Sequence, residues 1–327
     1  MGARPKTIGV LTSGGDAPGM NACIRAITRT AVYRDLHVVG YRYGYHGLIA
    51  GDCRPLEGRS VSNIIQRGGT ILGSSRCEEF ETEEGRRKAT ERLRGSNVDA
   101  LLVIGGEGSM KGARDLARQW DGQIIGIPGT IDNDLGGTDW TIGFFTALDT
   151  ALDSIDKIRD TAEAFDRVFL VEVMGRLAGD IALGVGIAGG AEEILIPETP
   201  VDIEGVARRV REAKGRGKLS YIIVVAEGFC KGGAIEVAKR LTEITSFTCT
   251  PCVLGHTQRG GSPAAYDRIL GTRLGVHAVE AALDGATGVM VGQIDGEIAL
   301  TRFEDLGRKR RAIDPAYWQK INEILRR

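Results

Sequence analysis

Two carboxylates, Asp132 and Asp134, stand one residue apart in the run Ile127-Pro128-Gly129-Thr130-Ile131-Asp132-Asn133-Asp134. A Pro-Gly turn precedes them, and the apolar run 124–127 comes before that, so the acids fall at the end of a buried strand. In an open α/β sheet, ligands bind at that end. Acids so spaced can divide the work, one holding a metal while the other accepts a proton. The same letters also suit a plain turn, because Asp and Asn side chains hydrogen-bond their own backbone.

Two glycine-rich turns lie upstream. Thr12-Ser13-Gly14-Gly15-Asp16-Ala17-Pro18-Gly19 follows the apolar run 7–11 and precedes a helical pattern over 20–33, with Arg25 and Arg29 one turn apart. Such a turn lets backbone N–H groups approach a phosphate at the positive end of a helix. Its spacing is not the dinucleotide fingerprint G-x-G-x-x-G. The second turn, Gly105-Gly106-Glu107-Gly108-Ser109, carries an acid. Glu107 would repel a bare phosphate, and a bound Mg²⁺ between them removes the objection. An ordinary turn with an exposed glutamate is the alternative. Arg76, Arg167, Arg176 and Arg259 also follow strands or sit in glycine loops. Phosphoryl transfer asks for this inventory, since it is mostly positioning plus charge neutralisation. Taken singly, each arginine also reads as a surface ion pair.

These residues need strands and helices to position them. Periodicity predicts strands at 7–11, 37–41, 99–104, 124–127, 168–173, 193–196, 218–226, 252–255 and 288–293, with a short hairpin after the last. Helices are expected over 20–33, 60–66, 79–93, 110–119, 141–159, 178–186, 201–214, 233–245, from 264 to 283, and from Pro315 onward. The alternation argues βαβ units and an α/β fold. Two doubly wound lobes of mainly parallel sheet, with the active site in the cleft between them, suit 327 residues.

Composition narrows the partners. Lysine and arginine number 42 against 43 acids, so charge gives no reason to expect nucleic acid or a membrane surface. No run of eighteen or more apolar residues occurs, and the first six residues are too polar for a secretory signal; a cytoplasmic enzyme is expected. Six scattered cysteines do not form a disulfide framework. Cys249 and Cys252 form a C-x-x-C pair without a second pair to complete a zinc site, so a buried or idle pair is expected.

Along nearly its whole length the chain resembles the bacterial-type ATP-dependent 6-phosphofructokinases. The resemblance is carried by residues 11–21, the turn 105–109, residues 128–134, Glu172-Val173-Met174-Gly175-Arg176, and Gly255-His256-Thr257-Gln258-Arg259-Gly260-Gly261-Ser262-Pro263. It implies phosphorylation of fructose 6-phosphate at the 1-hydroxyl, with Asp132 as general base and Thr130 orienting the reactants. Gly15, Arg76, Cys77, Gly106, Glu107, Gly108 and Ser109 would hold ATP, and Glu107 and Asp134 would serve Mg²⁺. Arg76 and Arg176 would meet the charge of the transferring group. Met174, Gly175, Arg176, Glu227, His256 and Arg259 would line the sugar phosphate, with Arg167 reaching in from a neighbouring subunit of a homotetramer. A nucleotide-binding lobe of 1–142 plus 256–305 and a sugar-phosphate lobe of 143–255 plus 306–327 are implied. An allosteric pocket for nucleoside diphosphate or phosphoenolpyruvate is matched by Arg25, Arg29, Arg59, Arg159, Glu192, Arg216 and Lys218.

Some positions depart from the family pattern. Glu107 replaces the usual aspartate, Thr250 replaces an arginine that crosses to the 6-phosphate, and Gly58 and Leu219 replace effector-site cations. Losing one charge-assisted hydrogen bond to phosphate costs about 1.5–3 kcal/mol. A related sugar-phosphate kinase or an inactive regulatory subunit is therefore an alternative reading. The pyrophosphate-using relatives carry Asp and Lys where this chain has Gly108 and Gly129. Those side chains fill the space of the α-phosphate, so ATP is the expected donor. NAD kinases share a G-G-D-G-type turn but lack the other stretches.

Overall fold

The structure, a computed structural model, describes residues 4–165, 167–200, 202–307, 317, 320, 321 and 324. In chain order the strands are β1 (Thr7–Ser13), β2 (His37–Tyr41), β3 (Cys53–Pro55), β4 (Ala100–Gly105), β5 (Gln123–Pro128), β6 (Val168–Val173), β7 (Glu193–Leu195), β8 (Tyr221–Ala226), β9 (Cys249–Val253), β10 (Val289–Ile294) and β11 (Glu297–Arg302). The helices are α1 (Met20–Tyr33), α2 (Gly44–Ala50), α3 (Glu83–Gly95), α4 (Glu107–Leu116), α5 (Phe144–Phe165), α6 (Asp180–Ala188), α7 (Ile203–Gly215), α8 (Gly233–Thr245) and α9 (Ala265–Leu283).

The chain forms two compact units. The first comprises Met1–Ile131, Leu135–Thr146 and Arg259–Arg310, the second Asp132–Asp134, Ala147–Gln258 and Arg311–Arg327. In the first unit a seven-stranded sheet has the order β11-β10-β5-β4-β1-β2-β3, parallel except at its edges, where β3 and β11 run antiparallel to their neighbours. Central strands are covered on both faces, which is why β4 reads as the unbroken run Ala100-Leu101-Leu102-Val103-Ile104. Each large apolar side chain so buried contributes about 1.5–3 kcal/mol, so the middle of this sheet carries much of the unit's hydrophobic stabilisation. The second unit holds four parallel strands in the order β7-β8-β6-β9. Alternate residues of β6 and β8, such as Leu170 and Ile223, pack with Val206, Val210, Val237 and Leu241 of α7 and α8.

The α/β architecture agrees with the sequence expectation, and the differences are local. Residues 60–66 form turns instead of a helix. Val61 and Ile64 are buried at helical spacing, but Asn63 between them takes a left-handed φ of 53° and interrupts any helical ladder. Ser62 N donates to the Arg59 carbonyl and Arg67 N to that of Ile64, the short reach of a turn. The sequence pattern predicts neither α2 nor the three-residue β3. The helix expected over 110–119 begins at Glu107, which moves the acid from a loop into the first helical turn. The helix expected from Pro315 lies outside the described residues, apart from residues 317, 320, 321 and 324.

Candidate active site

Three sequence motifs leave three adjacent strands at one level. Ser13 at the end of β1 is the register partner of Gly105 at the end of β4, and Gly105 is the partner of Pro128 at the end of β5. The chain runs outward from β1 to β2 and β3, then returns to the other side of β1 as β4. Ligands bind outside the carboxyl ends of strands at such a reversal.

Short hydrogen bonds stitch the turns together. Ser109 Oγ donates to the Ser13 carbonyl at 3.0 Å, and Gly129 N donates to the Gly105 carbonyl at 2.9 Å. A Cβ on Gly105 would stand 2.6 Å from that same Ser13 oxygen, so no side chain fits where the turns meet. The loop before Arg76 is tied to the first turn, because Ser74 Oγ donates to the Gly14 carbonyl at 2.6 Å. Arg76 itself is exposed. Cys77 is half-buried against the core, and burial pushes its thiol up, leaving it neutral at pH 7.

Glu107 is exposed and opens α4, directly after Gly106. The first N–H groups of a helix lack intrahelical acceptors and carry partial positive charge; Glu107 and Gly108 supply such groups at the start of α4, while Ser109 N turns back to the Gly106 carbonyl at 3.0 Å. A Cβ on Gly108 would meet nothing within 4 Å, whereas one on Gly129 would meet Ile104 Cγ2 at 2.8 Å. Thr130 is buried, and its carbonyl accepts the Thr141 hydroxyl at 2.6 Å. Arg259 belongs to this same unit. Its Nη1 donates to the Asp16 carbonyl at 3.3 Å and would lie 2.3 Å from a Cβ on Gly15.

In the second unit Asp132 is buried, with 3% of its surface exposed. The next residue, Asn133, takes a left-handed φ of 53° and donates through Nδ2 to Asp180 Oδ1 at 3.0 Å. Asp134 pairs with Arg176 Nη1 at 3.6 Å. Arg176 also has a left-handed φ, 55°. Glu227 Oε1 accepts the backbone N–H groups of Gly175 at 3.2 Å and Arg176 at 2.6 Å, which holds this strained turn. Met174 N donates to Oε1 of Gln258, a fully buried amide. A cavity of about 540 Å³ opens at the carboxyl ends of β6, β8 and β9, lined among others by Glu172, Arg176, Glu227 and Val253. His256 and Arg167 are exposed, and the Arg167 guanidinium lies 5.1 Å from the Phe165 ring centre. Sequence reasoning assigned nothing to Gln258 or to Glu172, whose Oε2 accepts Ala234 N at the start of α8 at 2.7 Å. Both lie inside the quoted motifs, but nothing in residue type marks a side chain that serves the backbone.

Of the residues matched to an effector pocket, the second unit gathers three. Glu192 is buried, 2.6 Å from Lys218 Nζ and 3.9 Å from Arg159 Nη1. Arg216 follows α7, while Arg25, Arg29 and Arg59 belong to the first unit. Cys249 packs in the core of the second unit, and Cys252, three positions on, faces the opposite side of β9. Their side chains diverge, so the C-x-x-C spacing is idle. Among the described residues no group of three His, Cys, Asp or Glu side chains could hold a metal, and no helix is long and apolar enough to cross a membrane.

Comparison with known proteins gives concordant results. The family described as Phosphofructokinase matches residues 7–282. ATP-dependent 6-phosphofructokinase 1 of Thermus thermophilus is 54% identical over 320 residues, which cover 98% of this chain and 99% of that protein. ATP-dependent 6-phosphofructokinase of Bacillus pumilus is 50% identical over 319 residues, with 98% and 99% covered. A solved phosphofructokinase structure from Saccharomyces cerevisiae superposes with a TM-score of 0.86 at 35% identity. That match covers 91% of this chain and 45% of the yeast chain, so this chain spans less than half the yeast chain's length.

Proposed function

The chain belongs to the phosphofructokinase family, and on that premise we propose how its residues divide the reaction. The activity is ATP-dependent phosphorylation of fructose 6-phosphate at the 1-hydroxyl, giving fructose 1,6-bisphosphate, a step of glycolysis. One observation carries the reading: Ser13, Gly105 and Pro128 share one register level, so both glycine turns and the Thr130 segment begin together.

The first unit takes the nucleotide, and the second supplies most of the residues for the sugar phosphate. Gly15, Gly106 and Gly108 offer backbone donors to the phosphates, Ser109 holds the turn by its bond to the Ser13 carbonyl beside them, and Arg76 with Cys77 borders the nucleotide. Asp132 takes the proton from the 1-hydroxyl, and Thr130 orients the reactants. Arg176 and Arg76 meet the charge that develops on the transferring group. Met174, Gly175, Glu227, His256 and Arg259 bind the acceptor, with Arg167 supplied by a neighbouring subunit of a homotetramer. The pairing of Glu192 with Lys218 and Arg159 supports an effector pocket that also includes Arg25, Arg29, Arg59 and Arg216. The enzyme works in the cytoplasm.

Mg²⁺ suits the donors present. Glu107 and Asp134 offer hard carboxylate oxygens, and Mg²⁺ is commonly held by one or two carboxylates plus substrate phosphates. Held by Glu107 and Asp134, it would supply charge neutralisation for the phosphates of the donor. The open space over Gly108 supports ATP as donor.

The test is direct. Purified protein with Mg²⁺ and fructose 6-phosphate is given either ATP or pyrophosphate, and fructose 1,6-bisphosphate is measured. Product with ATP is expected. Product with pyrophosphate alone would reverse the donor assignment, and product with neither would remove the activity.

A further inference from the structure

Asp267, near the start of α9, is fully buried and has no place in the roles above. Its Oδ1 accepts Gly143 N at 2.8 Å, while Oδ2 accepts Thr146 N at 2.7 Å and the Thr146 hydroxyl at 2.6 Å. These donors sit at the start of α5, where N–H groups need acceptors and a negative charge is favoured. An unpaired carboxylate at this depth would be strongly destabilising, so the donor set explains why an acid is tolerated.

Both ends of this clamp lead to the site. The Thr146 hydroxyl oxygen accepts Ala264 N at 2.9 Å, which fixes the end of the loop that begins at Arg259. From Gly143 the chain runs back to Ile142, whose N donates to the Pro128 carbonyl at 3.0 Å, and to Thr141, whose hydroxyl holds the Thr130 carbonyl. The first glycine turn packs on the same residue, since a Cβ on Gly19 would stand 3.2 Å from Asp267 Cβ. One carboxylate therefore underlies three segments of the site.

We propose that Asp267 is a positioning residue for phosphoryl transfer: it fixes residues 141–143 and the Arg259 loop, and through them sets Thr130 and the guanidinium beside Gly15. This rests on the kinase reading. A simple helix cap would affect stability alone, whereas a positioning residue affects turnover in protein that remains folded.

The experiment measures kcat, KM for ATP and for fructose 6-phosphate, and thermal unfolding for wild type, Asp267→Asn, Thr141→Val and the double variant. Asn keeps the shape but presents an N–H₂ group to donors. At a temperature where every variant is folded, Asp267→Asn should lower kcat about 10–100-fold and shift each KM less than about threefold. The double variant should lose less than the product of the single losses, because both changes loosen one segment. Should Asp267→Asn fail to fold, Thr146→Val carries the same cycle with Thr141→Val, and Thr146→Ser should restore turnover. A kcat within twofold of wild type in the folded variant, or fully multiplicative losses in the cycle, would overturn the role. Wild-type protein that makes no product from ATP would instead sink the kinase reading, and this role with it.

Discussion

The guanidinium of Arg259 occupies the space that a side chain on Gly15 would need, with Nη1 only 2.3 Å from the position of a Cβ there. The glycine is thus required by a neighbour, not by its backbone, since Gly15 is absent from the left-handed residues. Gly15→Ala should fold normally, because the atom it meets is the end of a flexible side chain. With Gly15 proposed for the nucleotide and Arg259 for the acceptor, displacing that cation should lower kcat/KM for ATP and for fructose 6-phosphate alike, each about 10–100-fold, the usual cost of a misplaced group. Steady-state kinetics beside a melting curve check this; unchanged kinetics for both substrates would show that the contact is idle.

The two glycines that the resemblance ties to the choice of donor differ in surroundings, which separates their effects. Gly108 faces open space, so Gly108→Asp should leave stability unchanged, and an acid in the first turn of α4 suits the helix dipole. Its charge should still raise KM for ATP at least about tenfold by opposing the phosphates. Gly129→Lys should instead destabilise by about 1–3 kcal/mol, since its Cβ meets Ile104 and Met20. Urea midpoints and KM values for both variants distinguish the two outcomes.

For Asp132 the expected signature is kinetic. Asp132→Ser should cut kcat by about 10²–10⁴ with little change in KM, as for a lost general base. Near-wild-type turnover would remove Asp132 from that role.

Much of this was legible in the sequence because the central strands are apolar throughout and end at glycine turns. The β1, β4 and β5 motifs could be read directly, whereas their common register level could not, because strand order is set by long-range pairing. At residues 60–66 the buried Val61 and Ile64 imitated a helix, and only the left-handed Asn63 betrays the turn. Asp267 and Gln258 escaped for a different reason. Their side chains serve backbone groups distant in sequence, and no periodicity records that. Cys249 and Cys252 agree with the expected idle pair: the spacing is familiar, but a strand turns the two thiols apart.

Thr250 on β9 is half-buried opposite Phe169 and stands where the resemblance implies an arginine for the 6-phosphate. A restored charge-assisted hydrogen bond is worth about 1.5–3 kcal/mol, or roughly tenfold or more in affinity. Thr250→Arg should therefore lower KM for fructose 6-phosphate by about that factor while leaving KM for ATP alone. If KM does not fall, another residue already supplies the contact or the acceptor is a different sugar phosphate.

Asp267 also gives a stability prediction with a definite sign. Burial outweighs its hydrogen-bond donors and raises its carboxyl above the ordinary value of 3.8. The folded chain then holds this proton more tightly than the unfolded chain does. Its contribution is full below the unfolded value and is lost as pH rises through the folded one. Asp267→Asn has no such proton, so the stability difference between wild type and variant should move in favour of wild type as pH falls from about 7 toward about 4. Most paired carboxylates would give the opposite trend. Urea unfolding of both proteins across that range measures it, and a flat difference or one that moves toward the variant would mean that the carboxyl is not raised in the fold.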